Sequence, residues 1–482
     1  MAATEAQARP AAALESLPWT RELILITAGL LLGTFVVALD STVVGTALPT
    51  IARELGDFSL YPWIFSGYLL TSTTTVPIWG RLADLYGRRQ VLMVGIAIFV
   101  IASVVCGLSP NMLALVISRT AQGIGAGCLL PVILTIVGDI FPVAQRARLQ
   151  GAFSSVWAIS SVVGPLTGAL FVSTIGWRWI FGINLPIGII AVLLLRGYRE
   201  NREAADGGRI DPVGAVGLTV GIGLLLWGLG TGSTNARPNW ALVAISVILL
   251  ALSLLWEQRS SSPTVPLGLL RSAVLGPIIA ISLLFGVVMF GATTFVPLFV
   301  QGGLGRSAYE AGAALAPLTL GWPVGSTLAG RLYVRFGYRP LMGVGAIAMV
   351  AGTLMLALTN WSTPWVGAAS AVLGLGLGLI STPTIIVIQS SVPWNQRGAA
   401  TAFNQFSRTI GGAIGVSLLG VLLQARLGPG AANPLRGGGH GAAAALAGGI
   451  ETIFWVLVVV SVATLAGAAW IFLARREPAV SS

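Results

Sequence analysis

The sequence predicts an all-α integral membrane protein of fourteen transmembrane helices, in two six-helix halves related by duplication with two extra helices between them. Three observations carry that expectation. The 482 residues are 55% hydrophobic and only 9% charged, with a mean hydropathy of +0.88. An ordinary soluble domain carries about 25% charged residues, so this chain cannot cover a water-facing surface of its own size. Apolar stretches of roughly 20 residues recur along it, long enough to cross a bilayer core of about 30 Å at 1.5 Å per residue. Finally, an arginine-rich loop sequence returns 250 residues later.

Residues 1–22 contain no apolar core of the kind a cleaved signal requires, and are expected to form a cytoplasmic tail. The N-terminal six-helix half, 23–196, holds spans at 23–48, 61–80, 90–109, 111–137, 149–172 and 179–196. A linker, 197–271, carries the two extra spans, 212–231 and 239–256. The C-terminal half, 272–473, holds spans at 272–300, 309–330, 340–359, 364–389, 399–423 and 450–473, and 474–482 is a second cytoplasmic tail. The outer segment 424–449 is rich in glycine and alanine, with the composition of a short helix at Ala442–Ala447.

Arginine placement orients these spans, because positively charged loops stay in the cytoplasm. With the N-terminus inside, nineteen of the 27 arginines fall on inner segments. Six lie on outer loops (Arg53, Arg178, Arg237, Arg306, Arg426 and Arg436), and Arg119 and Arg408 lie within spans. The bias predicts both termini in the cytoplasm. It assigns the net charge of +11 to topology and the lipid surface, with no nucleic-acid partner.

The duplication is written in the inner loops. GRLADLYGRR at 80–89 and GRLYVRFGYR at 330–339 share Gly, Arg, Leu, Gly and Arg. Gln145-Arg146 matches Gln396-Arg397 and Pro142 matches Pro393 at an offset of 251, and Phe153 matches Phe403 at 250. Duplicated halves of this kind rock about a midplane site in secondary transporters.

Enzyme chemistry has almost no material here. Every cation is arginine, so a phosphate-loop lysine and a Schiff base are excluded. His440 is the single histidine, which excludes a histidine metal cluster and a histidine-based triad. No catalytic residue, metal or organic cofactor is expected. Cys106 and Cys128 sit in apolar spans and read as small buried side chains rather than a disulfide. The lysine-free, arginine- and alanine-rich composition points to genome bias and to a bacterial cell (inner) membrane.

Five motifs in order give a family resemblance. LDSTVVGTALP at 39–49 resembles a first-helix motif, with Gly45 where asparagine is usual; GRLADLYGRR at 80–89 resembles the loop between spans two and three, with Leu85 replacing a basic residue. Arg119 with Gln122, Gly123, Gly125 and Gly127 is similar to a fourth-span motif. Gly164-Pro165 with Gly168 resembles the fifth-span antiporter motif, with Ala169 for a second glycine, and WRWIF at 177–181 with Asn184 and Pro186 resembles the entry to span six. Over about residues 20–473 the chain thus resembles the major facilitator superfamily, and within it the fourteen-span drug:proton antiporter branch.

Of sixteen acidic residues, Asp40 alone is well inside a span; Glu257 is among those read as loop acids. An intramembrane carboxylate is a functional hypothesis that needs a named partner. Asp40 lies eight residues from the outer end of span one and Arg119 eight residues from the outer start of span four, about 12 Å deep in each case. In the resembled fold these spans line one cavity. Burial favours the neutral carboxyl and a neighbouring arginine the charged one, so Asp40 reads as proton acceptor and Arg119 as its tuning partner. A fixed ion pair locking span one to span four is the alternative.

The resemblance implies a cytoplasmic gate of Gly80, Asp84, Gly87, Arg88 and Asp139, in which Asp84 caps the start of span 13 near Ala399 and Arg88 reaches Asp139. Topology signalling by the arginines alone is the plainer reading. It also implies that Gly164, Pro165 and Gly168 form a close-packing face that seals the two halves, against ordinary small-residue packing. Trp63, Tyr68, Gln122, Trp157, Gln301, Asn404 and Arg408 are the substrate-cavity candidates. Phe290, Phe295 and Gln405 join them, although membrane aromatics also anchor interfaces. Arg408, without an acid at its depth, meets either an anionic substrate group or backbone carbonyls.

The implied function is proton-coupled antiport that exports lipophilic drugs, cations among them, by alternating access. The expected partners are a small-molecule substrate, protons and the bilayer, with a monomer driven by the proton gradient. Two alternatives stand: a dedicated exporter of one endogenous metabolite or antibiotic (self-resistance), and a lipid or solute translocator without proton coupling.

Overall fold

The computed structural model describes residues 17–56, 60, 63–200, 211–229, 239–259, 267–358, 362–427 and 440–473. The expected tails at 1–16 and 474–482 and much of the linker lie outside the described residues. Within them the chain is helical and contains no strand. That is the expected outcome in hydrocarbon, where no water replaces a missing backbone hydrogen bond and a helix satisfies its groups internally.

In chain order the helices are α1 (Arg21–Leu55), α2 (Trp63–Thr74), α3 (Val76–Tyr86), α4 (Arg88–Gly107), α5 (Met112–Ile140), α6 (Val143–Thr174), α7 (Trp179–Gly182) and α8 (Asn184–Leu194). They continue with α9 (Pro212–Gly228), α10 (Trp240–Arg259), α11 (Leu275–Leu298), α12 (Ala308–Phe336), α13 (Tyr338–Ala357), α14 (Thr363–Ser390), α15 (Arg397–Leu427) and α16 (His440–Leu473). Within the described residues every predicted span overlaps helix, and the Ala442–Ala447 stretch belongs to the first turns of α16.

Among the described residues, eleven helical segments are long and apolar enough to cross a membrane. The predicted spans 61–80, 212–231 and 309–330 fall short, and each has a local reason. The first is split at Thr75, because Pro77 at the start of α3 has no N–H to give back to the preceding turn. Within α9 the apolar run is only Val216–Leu225. In α12, two prolines, Pro317 and Pro323, are mixed with hydroxyl side chains and terminal charges. Fourteen crossings therefore remain an expectation.

The two matching loops adopt the same turn. Gly87 (φ +94°) and Gly337 (φ +73°) each sit in the left-handed region that only glycine enters freely. Each donates its N–H back to close the preceding helix, Gly87 to the Ala83 carbonyl at 3.1 Å and Gly337 to that of Tyr333 at 2.8 Å. Packing repeats as well. The pairs α1–α6, α4–α5, α2–α5 and α1–α8 recur as α11–α15, α13–α14, α12–α14 and α11–α16.

The repeats meet through two reciprocal contacts, α6 on α12 and α3 on α15. Lipid gains nothing from burying one apolar side chain against another, so close approach rests on small residues. A Cβ on Gly80 would collide with Ala402 and the Gly398 carbonyl, and one on Gly151 with Thr327. Ser154 donates to Ser326 Oγ across the same seam at 3.1 Å. These contacts lie toward the Asp84 end of the bundle. Next to them is a cavity of about 310 Å³, lined from both repeats by α1, α2, α3, α5 and α6 and by α11, α12 and α15. The extra helices α9 and α10 pack on each other, and α9 touches α2, where Trp227 meets Trp63 edge-on at 5.9 Å.

Candidate functional site

Asp40 lies midway along α1 and is 1% exposed. The structure brings it against Arg119 of α5: Arg119 Nη1 donates to Asp40 Oδ2 at 2.6 Å. The other carboxylate oxygen accepts from Gln122 Nε2 at 3.0 Å and Asn184 Nδ2 at 2.9 Å. Gln122 in turn accepts from Arg119 at 2.7 Å, and Asn184 also donates to Ser103 Oγ at 2.9 Å. The guanidinium lies over the Tyr68 ring, 4.2 Å from its centroid. Arg119 and Gln122 share a face of α5, three residues apart, so they approach the same carboxylate from one side.

Both carboxylate oxygens are thus hydrogen-bonded, as a buried charge requires. Arg119 alone among these donors is a partner that charge pairing and depth single out. Gln122 is a correction: it binds Asp40 and does not line the cavity. Asn184 stood in the quoted motif at the entry to span six, but nothing in its spacing shows that α8 turns it toward α1.

Asp40 and the cavity share a wall. Ser41 and Tyr68 line the cavity while Asp40 sits behind them, and the Tyr68 hydroxyl is buried with no hydrogen-bond partner. Of the candidates, Tyr68, Trp157 and Arg408 line this cavity, together with Phe290 and Gln405. Trp63 does not, being turned onto Trp227. Gln301 is exposed in the π-helical turn after α11, and Asn404 is buried where its Oδ1 accepts from Ser282 at 2.5 Å. Phe295 is packed in the core of the second repeat. Trp322, Gln150, Phe153 and Ser154 are among the other lining residues. Depth along a span is legible in sequence, but the helix face toward the cavity is not.

At the other cluster, Asp84 accepts from the backbone N–H groups of Gly398 at 2.9 Å and Ala399 at 2.7 Å, at the start of α15. The unpaired N–H groups and dipole of a helix start favour a negative group there. Arg88, fully buried, is 3.0 Å from Asp84, 3.2 Å from Asp139 and 3.3 Å from Glu200, and donates to the Trp394 carbonyl at 2.6 Å. Its guanidinium also stacks on the Trp394 ring, and Arg397 reaches Asp139 at 3.3 Å. One arginine therefore serves three acids. Glu200 is a partner that no motif marked.

Asp84 lies four residues beyond the predicted span 61–80. Burial pushes its carboxyl up to about 7, while Arg88 and the two N–H groups pull it down. Tyr198 beside this cluster is raised above the usual phenol range by burial and then by the charges of Glu200 and Asp139.

Gly164 faces α1: a Cβ there would collide with Thr42, whose hydroxyl donates to the Ser160 carbonyl at 3.0 Å. At Gly164 the close approach is therefore to α1 of the same repeat. Glu257, read as a loop acid, is buried near Gly214 of α9.

The Major Facilitator Superfamily model matches residues 30–416. The multidrug transporter protein MdtP of Bacillus subtilis is 37% identical over 415 residues, 85% of this chain and 76% of that protein. Multidrug resistance protein 3 of the same organism is 32% identical over 404 residues, covering 82% and 79%. The crystal structure of the human organic anion transporter MFSD10 aligns over 92% of this chain and all of that one with a TM-score of 0.66, at 14% identity, a likeness of fold alone.

Proposed function

The chain belongs to the major facilitator superfamily, and from that premise we propose that it is a proton-coupled antiporter that exports lipophilic compounds by alternating access. It is a multi-pass membrane protein of a family that moves small molecules across membranes. Its relatives MdtP and multidrug resistance protein 3 carry multidrug names, which supports drug efflux here. The observation that carries proton coupling is the sealed Asp40–Arg119 pair, separated from the central cavity by Tyr68.

The mechanism follows from that geometry. Ionised Asp40 holds Arg119, Gln122 and Asn184, and so ties α1 to α5 and α8. A proton on the carboxyl removes its attraction for Arg119 and one acceptor site, which loosens α1. Thr42, two residues on, carries that change into the α1–α6 contact at Gly164. On the proposed orientation the Asp84 cluster faces the cytoplasm, with both termini on that side of a bacterial inner membrane. Release of Arg88 and Asp84 from α15 and parting of α6 from α12 then open the cavity inward, as two six-helix halves, 23–196 and 272–473, rock as a monomer of fourteen crossings.

A second reading is favoured by the saturation of Asp40: a carboxylate with three donors and 1% exposure is also what a permanent lock of α1 to α5 requires. The test is transport in proteoliposomes under an imposed pH gradient, with lipophilic dyes of both charge signs. Gradient-driven accumulation by the parent protein that is abolished in Asp40→Asn supports antiport. Full coupling in Asp40→Asn assigns the pair to structure.

A further inference from the structure

Every side chain lining the central cavity is uncharged except Arg408. The neutral wall is mostly apolar and aromatic, with Phe153, Trp157, Phe290 and Trp322, and a few amides and hydroxyls such as Gln150 and Gln405. Asp40 does not offset Arg408, because its oxygens are taken by Arg119, Gln122 and Asn184 behind Tyr68. No nitrogen of the Arg408 guanidinium is hydrogen-bonded or ion-paired to another described residue, and its Nε is buried without a partner.

The side chain is nevertheless held in place. Its guanidinium carbon stands 4.3 Å from the Phe285 ring centroid and 5.9 Å from that of Trp322. Phe285 packs edge-on to Trp322 at 5.9 Å, and the Trp322 indole N–H is fixed on Ser381 Oγ at 3.2 Å. At the next position, Gly286 lets α11 touch the Arg408 carbonyl, where a Cβ would collide. The close α11–α15 approach thus sets the guanidinium on an aromatic shelf at the cavity wall. Aromatic stacking fixes the plane of an arginine while leaving its edge donors free.

An unpartnered arginine at membrane depth is costly, and a planar fork of free N–H donors matches a carboxylate or sulfonate. A cationic ligand in the same space meets like charge and no acid. The geometry points to a lipophilic organic anion as substrate: an aromatic body in the apolar cavity with its carboxylate or sulfonate on Arg408. Of the two partners that the sequence leaves open for Arg408, this takes the anionic substrate group, and it turns the substrate class away from cations. The inference rests on the export reading and narrows it to a substrate class.

The test is equilibrium binding to the full-length protein in nanodiscs, read by energy transfer from tryptophan to pyrene. The probes are pyrenesulfonate, neutral pyrenemethanol and (pyrenylmethyl)trimethylammonium, which share one aromatic body. The expected result is pyrenesulfonate binding about tenfold more tightly than either other probe, the scale of one charge-assisted hydrogen bond. Arg408→Gln lowers pyrenesulfonate affinity far more than pyrenemethanol affinity and so removes that preference, and Arg408→Lys retains part of it. Equal affinity for the three probes, preference for the ammonium, or an anion preference that survives Arg408→Gln overturns the inference. The first two outcomes need no variant to fold. The export reading is tested separately: probe movement with no proton moving in return defeats that reading alone, and gradient-driven export of the ammonium in preference to the sulfonate defeats this one alone.

Discussion

Asn184 illustrates what a single residue contributes to a buried charge. Its amide spans Asp40 and Ser103, each at 2.9 Å, and so supplies one of the three donors that allow a carboxylate to sit in a membrane helix. Asn184→Ala leaves that oxygen with Gln122 alone, and a buried group short of a partner costs about 1–3 kcal/mol. The expected outcome is a lower unfolding midpoint in detergent, with a smaller loss when Asp40→Asn is already present, because the two residues share one network. Equal losses in both backgrounds contradict this account. At this scale the sequence was half legible. Asp40 and Arg119 announce themselves because charges inside spans are so few, and equal depth pairs them. Gln122 and Asn184 are ordinary polar residues, and only the rotation of α5 and α8 decides what they face.

Helices show the same division. Apolar runs and glycine punctuation place most elements, and Gly87 and Gly337 mark the tight turns because no other residue takes those φ values without strain. The break at Thr75 and the extension of α1 to Leu55 leave no mark in hydropathy. On the proposed mechanism the junction of α3, α4 and α15 is where element packing becomes a switch. Arg88 bridges Asp84, Asp139 and Glu200 there, and Arg397 shares Asp139 with it. Arg88→Ala leaves buried acids facing one another, a change of about 3–5 kcal/mol for a broken buried pair. That is enough to shift a two-state equilibrium toward the form open at the Asp84 end. A cysteine replacing Thr327, on the seam opposite Gly151, reports it. We expect labelling by a membrane-impermeant thiol reagent to be at least about tenfold faster in the Arg88→Ala background. Unchanged labelling means that this cluster does not hold the seam.

Across the whole molecule, the reciprocal contacts α6–α12 and α3–α15 are what a duplicated chain produces when its copies face each other about a pseudo-twofold axis. That relation was readable in the loop repeat at 80–89 and 330–339 before any helix was placed. The cavity was not, since its walls come from eight helices and each contributes a face that hydropathy does not resolve. The two arginines that lie within spans, Arg119 and Arg408, differ in what they meet. On the proposed reading Arg119 is taken up by Asp40 while Arg408 faces the cavity, which puts proton and substrate at neighbouring but separate sites. Coupling then requires the movement of one to be answered by the other. The most direct measurement loads proteoliposomes with a pH indicator, applies an outward gradient of whichever pyrene probe the protein moves, and follows the internal pH. Proton movement opposite to the probe, absent from Asp40→Asn vesicles that still exchange it, is the predicted result. Probe movement without protons in the parent protein, or proton counterflow that persists in Asp40→Asn, contradicts the account.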